Sequence, residues 1–247
     1  MGSNQTPLLK KMFYQVKIKS LEDLAMIEVS VEAIASITQY YDQPLRCFTF
    51  EDFQLVPIVE EFEEILGCSL GERKSYLFSG FYPSMARVAK VVKISVQELD
   101  RVKRNRNGVV GIPRKHLEGK AKALTNQGEW VPFIHTFTLL IFGVVLFPNV
   151  EGLVDLAAID AFLAYQHSKE SQAIAILADL YDMFDRRCER SSARIVYCTP
   201  ALYVCAKGVI ALSELNALSV HQRLSPAPAH LASKRESGKA SAMQAHA

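Results

Sequence analysis

Hydrophobic residues recur at intervals of three and four along most of this chain, and that spacing predicts a stack of helices. From Leu21 to Tyr41 the apolar positions Leu24, Ile27, Val31, Ile34, Ile37 and Tyr41 fall on one helical face, which Asp42 and Pro44 close. A second start lies at Pro57. Proline pre-sets the backbone there, and Glu60 and Glu61 place negative charge at the positive pole of the helix. Val59, Phe62, Ile65 and Leu66 share its inner face, and Gly67 can take the left-handed conformation that ends it. Ser84–Val92 predicts a short helix with Met85, Val88, Ala89 and Val92 inward. Ser95 and Glu98 have the spacing of a capping box and begin a helix running to about Arg104. Pro113 opens another, ending near Gly128. Asp155 to Tyr165, Glu170 to Arg187 and Pro200 to Leu218 complete the series.

Strand patterning is sparse. Tyr14, Val16 and Ile18 alternate with polar residues, and Cys47–Phe50 and Ile195–Tyr197 are short enough to be extended pieces. Gly71–Gly80 reads as a loop, and Asn107-Gly108 as a turn. The longest apolar run, Phe133–Phe147, lies between Pro132 and Pro148, includes His135, and is shorter than a comfortable membrane span. It predicts a buried core helix and no membrane span. The expected fold class is mainly α: an irregular multi-helix array around this run, with at most short minor strands. Three regions follow: a poorly patterned segment over 1–20, a helical region over 21–218, and a tail over 219–247. The tail has too few large apolar residues to offset the entropy of ordering, so disorder is expected there.

Composition sharpens the picture in two places. With 49% hydrophobic and 22% charged residues, the chain can bury a core, which argues against disorder throughout. A net charge of +2 is too small to imply nucleic acid, so any such case rests on local clustering. The five cysteines have irregular spacing, unlike a disulfide framework, and no signal-like start precedes them. The expected address is intracellular, nucleus or cytoplasm, with reduced thiols. Gly2 with Thr6 fits the loose N-myristoylation rule, against which Pro7 counts; the sequon at Asn4 is expected to be silent.

Chemical motifs are mostly missing. The chain has no phosphate-cradling glycine pattern, no GxSxG, no HExxH and no CxxC. No catalytic, cofactor or metal residue is therefore assigned, and an enzyme is not expected. Cys198 and Cys205 read as small buried thiols, because Pro200 interrupts any helix carrying both. Glu60, Glu61, Glu63 and Glu64 read as the solvated face of their helix, and His135 as a core histidine hydrogen-bonded within the fold. The basic run is the one cluster with functional promise: Arg101, Lys103, Arg104, Arg106, Arg114, Lys115, Lys120 and Lys122. Lys103, Arg104, Arg106, Arg114 and Lys115 flank the Asn107-Gly108 turn between two expected helices and are the candidate phosphate contacts. The competing reading is a solvated helix end and loop. No aromatic residue is interleaved, so stacking on single-stranded bases is not supported.

Several segments resemble a known family. They are ITQYYD at 37–42, PLRCFTF at 44–50, EDFQL at 51–55, EEFEEILG at 60–67, LLIFGVVLFPN at 139–149, and 198–203. Together they resemble a plant domain of unknown function, widespread in legume genomes beside retroelements and similar to the aminotransferase-like plant mobile domain. The resemblance covers roughly Val29 to Tyr203. It implies a non-enzymatic, transposon-derived domain acting in the nucleus, with an unknown protein or nucleic acid as partner and no cofactor. No lysine here has a recognisable pyridoxal-phosphate setting. The chain departs from the family's pattern at Ile58, where a capping Thr is expected. The pattern also has more sequence before the first helix and continues past Tyr203. An enzyme with a site not visible as a motif, or an inactive truncated product, are the alternative readings.

Overall fold

The structure, a computed structural model, describes residues 21–50, 54–67, 73–190 and 196–209. The alternation at Tyr14–Ile18, the Gly2 and Asn4 patterns, Cys68, Ile195 and the tail over 219–247 lie outside the described residues. Helices α1 (Leu21–Ala25) and α2 (Val31–Ile37) lead through a 3₁₀ turn (Thr38–Tyr40) into strands β1 (Tyr41–Asp42), β2 (Cys47–Thr49) and β3 (Gln54–Leu55). Next come α3 (Val59–Ile65), α4 (Met85–Val92), α5 (Val96–Val102), β4 (Arg104–Arg106) and β5 (Val109–Pro113). Then follow α6 (Arg114–Asn126), α7 (Trp130–Ile141), a π turn (Phe142–Leu146) and β6 (Leu153–Asp155). Finally come α8 (Leu156–Ser168), α9 (Ala173–Glu189) and α10 (Thr199–Val209). The fold is mainly α, with two small antiparallel sheets ordered β1-β2-β3 and β4-β5-β6. No helix among the described residues is long and apolar enough to cross a membrane.

The helix expected over Leu21–Tyr41 is broken. Leu24, Ile27, Val31 and Ile34 keep one period, but the Ser30 side chain accepts from Ala33 N at 3.2 Å and restarts the helix there. Tyr41 belongs to β1, where its ring stacks on Phe184 and its hydroxyl donates to Asp185 at 2.9 Å. Val196 and Tyr197 are not a strand. Ser95 does cap α5, accepting from Glu98 N at 3.1 Å, yet the Glu98 carboxylate lies by His116 instead of closing the box. Ile58 has no side-chain acceptor, so the cap of α3 keeps only its reverse half: Ile58 N donates to Glu61 Oε2 at 3.4 Å.

The apolar run supplies the centre. Leu139, Phe142 and Leu146 are fully buried, and Phe142 meets the edge of Phe162 from α8. The run is not one α-helix. At Phe142 it widens, with Phe147 N donating to Phe142 O at 2.8 Å across five residues. Gly143 in this turn lets β6 approach closely, because a Cβ there would lie 2.5 Å from Val154 Cγ1. The buried hydroxyls of Thr136 and Thr138 bond back to Pro132 and Ile134 carbonyls, both at 2.8 Å, and so stay satisfied. One face of the first turns of α7 is not buried: Trp130, Val131, Ile134 and Phe137 are exposed.

Candidate nucleic-acid interface

The Asn107-Gly108 turn joins two strands rather than two helices. β4 and β5 pair with Arg104 opposite Gly111 and Arg106 opposite Val109, and β6 adds on with Ile112 opposite Val154. Asn107 and Gly108 both have positive φ, at 54° and 83°. That is the two-residue turn whose twist matches a hairpin, and Asn-Gly is its preferred dipeptide. Asn105 Oδ1 accepts from Gly108 N at 3.1 Å and fixes the turn. The basic segment is therefore a rigid ribbon, not the pliable loop its composition suggests. Ile112 and Val154 anchor its inner end in the core, while residues 103–108 are all exposed.

The five candidate cations do converge on this ribbon and the first turn of α6, but their charges are unequally available. Strand alternation puts Arg104 and Arg106 on one face. Arg104 Nη1 donates to the carbonyls of Arg101 and Lys103, at 2.8 and 3.0 Å. Arg106 Nη1 donates to Glu151 O at 3.0 Å, tying the ribbon to the loop before β6. Both contacts orient a guanidinium without cancelling its charge. Lys103 instead pairs with Asp100 at 3.3 Å and Arg114 with Glu118 at 2.6 Å. These pairs are exposed and weak enough to be exchanged for a phosphate. Lys115 is exposed beside them. Arg106, Lys115, Asn105 and Asn107 line a groove whose far wall is Val150–Gly152, and Arg114 N donates to Gly152 O at 2.9 Å at its base. The other members of the basic run lie apart. Arg101 is on α5, and Lys120 and Lys122 are further along α6.

The remaining candidate residues have structural partners. His135 Nδ1 lies 3.3 Å from Val91 O, which agrees with a histidine held inside the helical packing. Cys198 and Cys205 are buried thiols. Burial pushes the Cys198 thiol up to about 12, and burial together with the Glu61 carboxylate raises Cys205 well above its usual value. Burial of this kind disfavours the thiolate, the form that acts as nucleophile or metal ligand. Cys205 Sγ donates to Glu61 Oε2 at 3.2 Å, and burial raises the Glu61 carboxyl above its ordinary range. The acidic helix face is thus not wholly solvated. Glu63 is only 2% exposed and accepts from Ser171 Oγ at 3.4 Å. No group of acidic, His and Cys residues fit to hold a metal occurs among the described residues.

Next to the ribbon, a cleft of about 500 Å³ opens between the π turn and the start of α10. Val29, Val145, Pro148 and Pro200 form apolar walls, and Arg114, Asn149 and Glu151 stand among its lining residues. Motif reading found neither groove, because its walls come from loops that only the fold brings together.

Compared with known proteins, residues 4–224 match the model of one family, described as a domain of unknown function (DUF7745). No curated protein and no solved structure matches the chain.

Proposed function

Taking as premise that the chain belongs to the DUF7745 family, we propose that it is a non-enzymatic binding module that grips nucleic-acid phosphates with its β4–β5 ribbon. The observation that supports this reading is the rigid, exposed hairpin bearing Arg104 and Arg106, with Lys115 across a groove. A two-stranded ribbon of this kind can enter the major groove of a duplex, and its arginines reach phosphates as they do. Plant origin, descent from a transposon and action in the nucleus belong to the same proposal. They rest on the resemblance of segments within 37–67, of 139–149 and of 198–203 to a plant domain of unknown function that is similar to the plant mobile domain.

The test is duplex DNA binding by the full chain across a salt series. The expected result is weak sequence preference and affinity falling linearly with salt on logarithmic axes. Arg104→Gln with Arg106→Gln should weaken every sequence and lower the salt slope by about one for each phosphate no longer neutralised. Binding unchanged in that variant rules out the ribbon.

The cleft beside Arg114 favours a second reading, an enzyme whose site carries no motif. A small molecule that protects the chain against thermal unfolding, and loses that effect when Val145→Trp fills the cleft, would support it.

A further inference from the structure

The exposed residues Trp130, Val131, Ile134 and Phe137 follow one another along the first turns of α7 at helical spacing. The rings of Trp130, Phe133 and Phe137 form a ladder, with centroids 6.1 and 5.9 Å apart. A stripe of this kind facing solvent is the signature of a docking surface, not of scattered surface residues. Bases predominate on its flanks, and the two acids there, Glu129 and Glu118, are each paired with one. On one side α4 lies against α7, as the His135 contact to Val91 shows, and exposes Arg87 and Lys90 with no acid in its length. Lys93 follows, paired with Glu129 at 3.7 Å. On the other side α6 runs antiparallel to α7 through a short connection, which sets its second half alongside the stripe. That half carries Lys120 and Lys122. The one acid of α6, Glu118, is held by Arg114.

We propose that this face docks an acidic amphipathic helix of a partner protein. Leucine-like residues of that helix at helical spacing cover Trp130, Ile134 and Phe137, and carboxylates on its two edges meet Lys90 and Lys122. Apolar cover supplies the affinity, and the flanking charges set the partner's sign and orientation. This surface is separate from the β4–β5 ribbon and does not depend on nucleic-acid binding there.

Trp130 is the chain's single tryptophan, so its emission reports occupancy of the stripe directly. The experiment titrates the full chain with a synthetic Leu/Glu amphipathic helical peptide, and with the same peptide carrying Lys for Glu. The expected result is a saturable blue shift with the acidic peptide and a much weaker response to the basic one. Ile134→Ser with Phe137→Ser should abolish the shift. Lys90→Glu with Lys122→Glu, which alters two exposed side chains, should weaken binding about tenfold. A duplex oligonucleotide should leave the emission unchanged. Any of four results overturns the proposal: no shift with the acidic peptide, a shift indifferent to the charge reversals, a shift only with phosphatidylserine vesicles, or a concentration-dependent shift of the chain alone with dimer mass in sedimentation.

Discussion

The two halves of one apolar run have opposite fates. From Trp130 to Phe137 the large side chains of α7 face solvent, with Trp130 59% and Phe137 40% exposed. From Leu139 to Leu146 the side chains turn inward, with Leu139, Ile141, Phe142 and Leu146 buried. The first half is the less apolar, with Pro132, His135 and Thr136 in it, but that alone does not account for Val131, Ile134 and Phe137 standing in solvent. The neighbours do. β6 and α8 close over Phe142 and Gly143, whereas among the described residues nothing covers Trp130, Val131 and Ile134. Burial thus marks where the described residues provide their own partner, and exposure where they do not.

Truncations should separate the halves most sharply. Phe142→Ala removes a fully buried ring in contact with Phe162 and should cost about 3–5 kcal/mol in urea unfolding. Equal stability in that variant would mean the buried half is not the core. Gly143→Ala tests the close approach to Val154. Its Cβ must displace a stiff β-branched side chain, at a cost of about 1–3 kcal/mol, and Val154→Ala in the same chain should recover only part of it, because the Cβ at 154 remains 2.8 Å away. Independent additive effects would show that the two residues do not touch.

A third experiment uses pH. Burial raises Asp179 on α9 to about 6 from an ordinary 3.8, with nearby Arg186 opposing the rise. The native state therefore holds this proton more tightly than the unfolded chain. Its contribution to stability is full below the unfolded value and is lost as pH rises through 6. Between pH 4 and 7 the wild type should lose about 1 kcal/mol more than Asp179→Asn, a figure discounted for partial exposure. Parallel pH profiles would place Asp179 in water. The smallest effect belongs to the exposed half: Ile134→Ser should change stability by less than about 0.5 kcal/mol. A drop of several kcal/mol there would make that stripe part of the core after all.

Much of the helical framework was legible in the sequence because its signals are local. Ser95 before Glu98, Pro113 before α6 and Gly67 after α3 act within a turn of their own position. What escaped is set at a distance. β6 is three residues long and becomes a strand only because β5 lies beside it. Glu63 turns inward because Ser171, far along the chain, offers it a hydroxyl. The break at Ser30 was hidden by a continuous apolar period, although Ser30 itself has the chemistry of a cap. Of the candidate interface, sequence supplied the cations and the turn dipeptide. The hairpin around that dipeptide is local, yet its strands are too short to show a strand period, and the groove with Val150–Gly152 depends on pairing β5 with β6 across the intervening helices.

The seam between β5 and β6 also orders events in time. The β4–β5 hairpin needs only its own turn and can form in microseconds. Pairing Gly111 with Asp155 must wait until about forty residues have coiled into α6 and α7 and brought their far end home. The hairpin is then a template already in place when β6 arrives. Amide hydrogens of Val154 and Asp155 should accordingly gain protection after those of Arg104–Arg106 in a refolding pulse, and a slow arrival of β6 would leave the edge of β5 open to the strand of another chain.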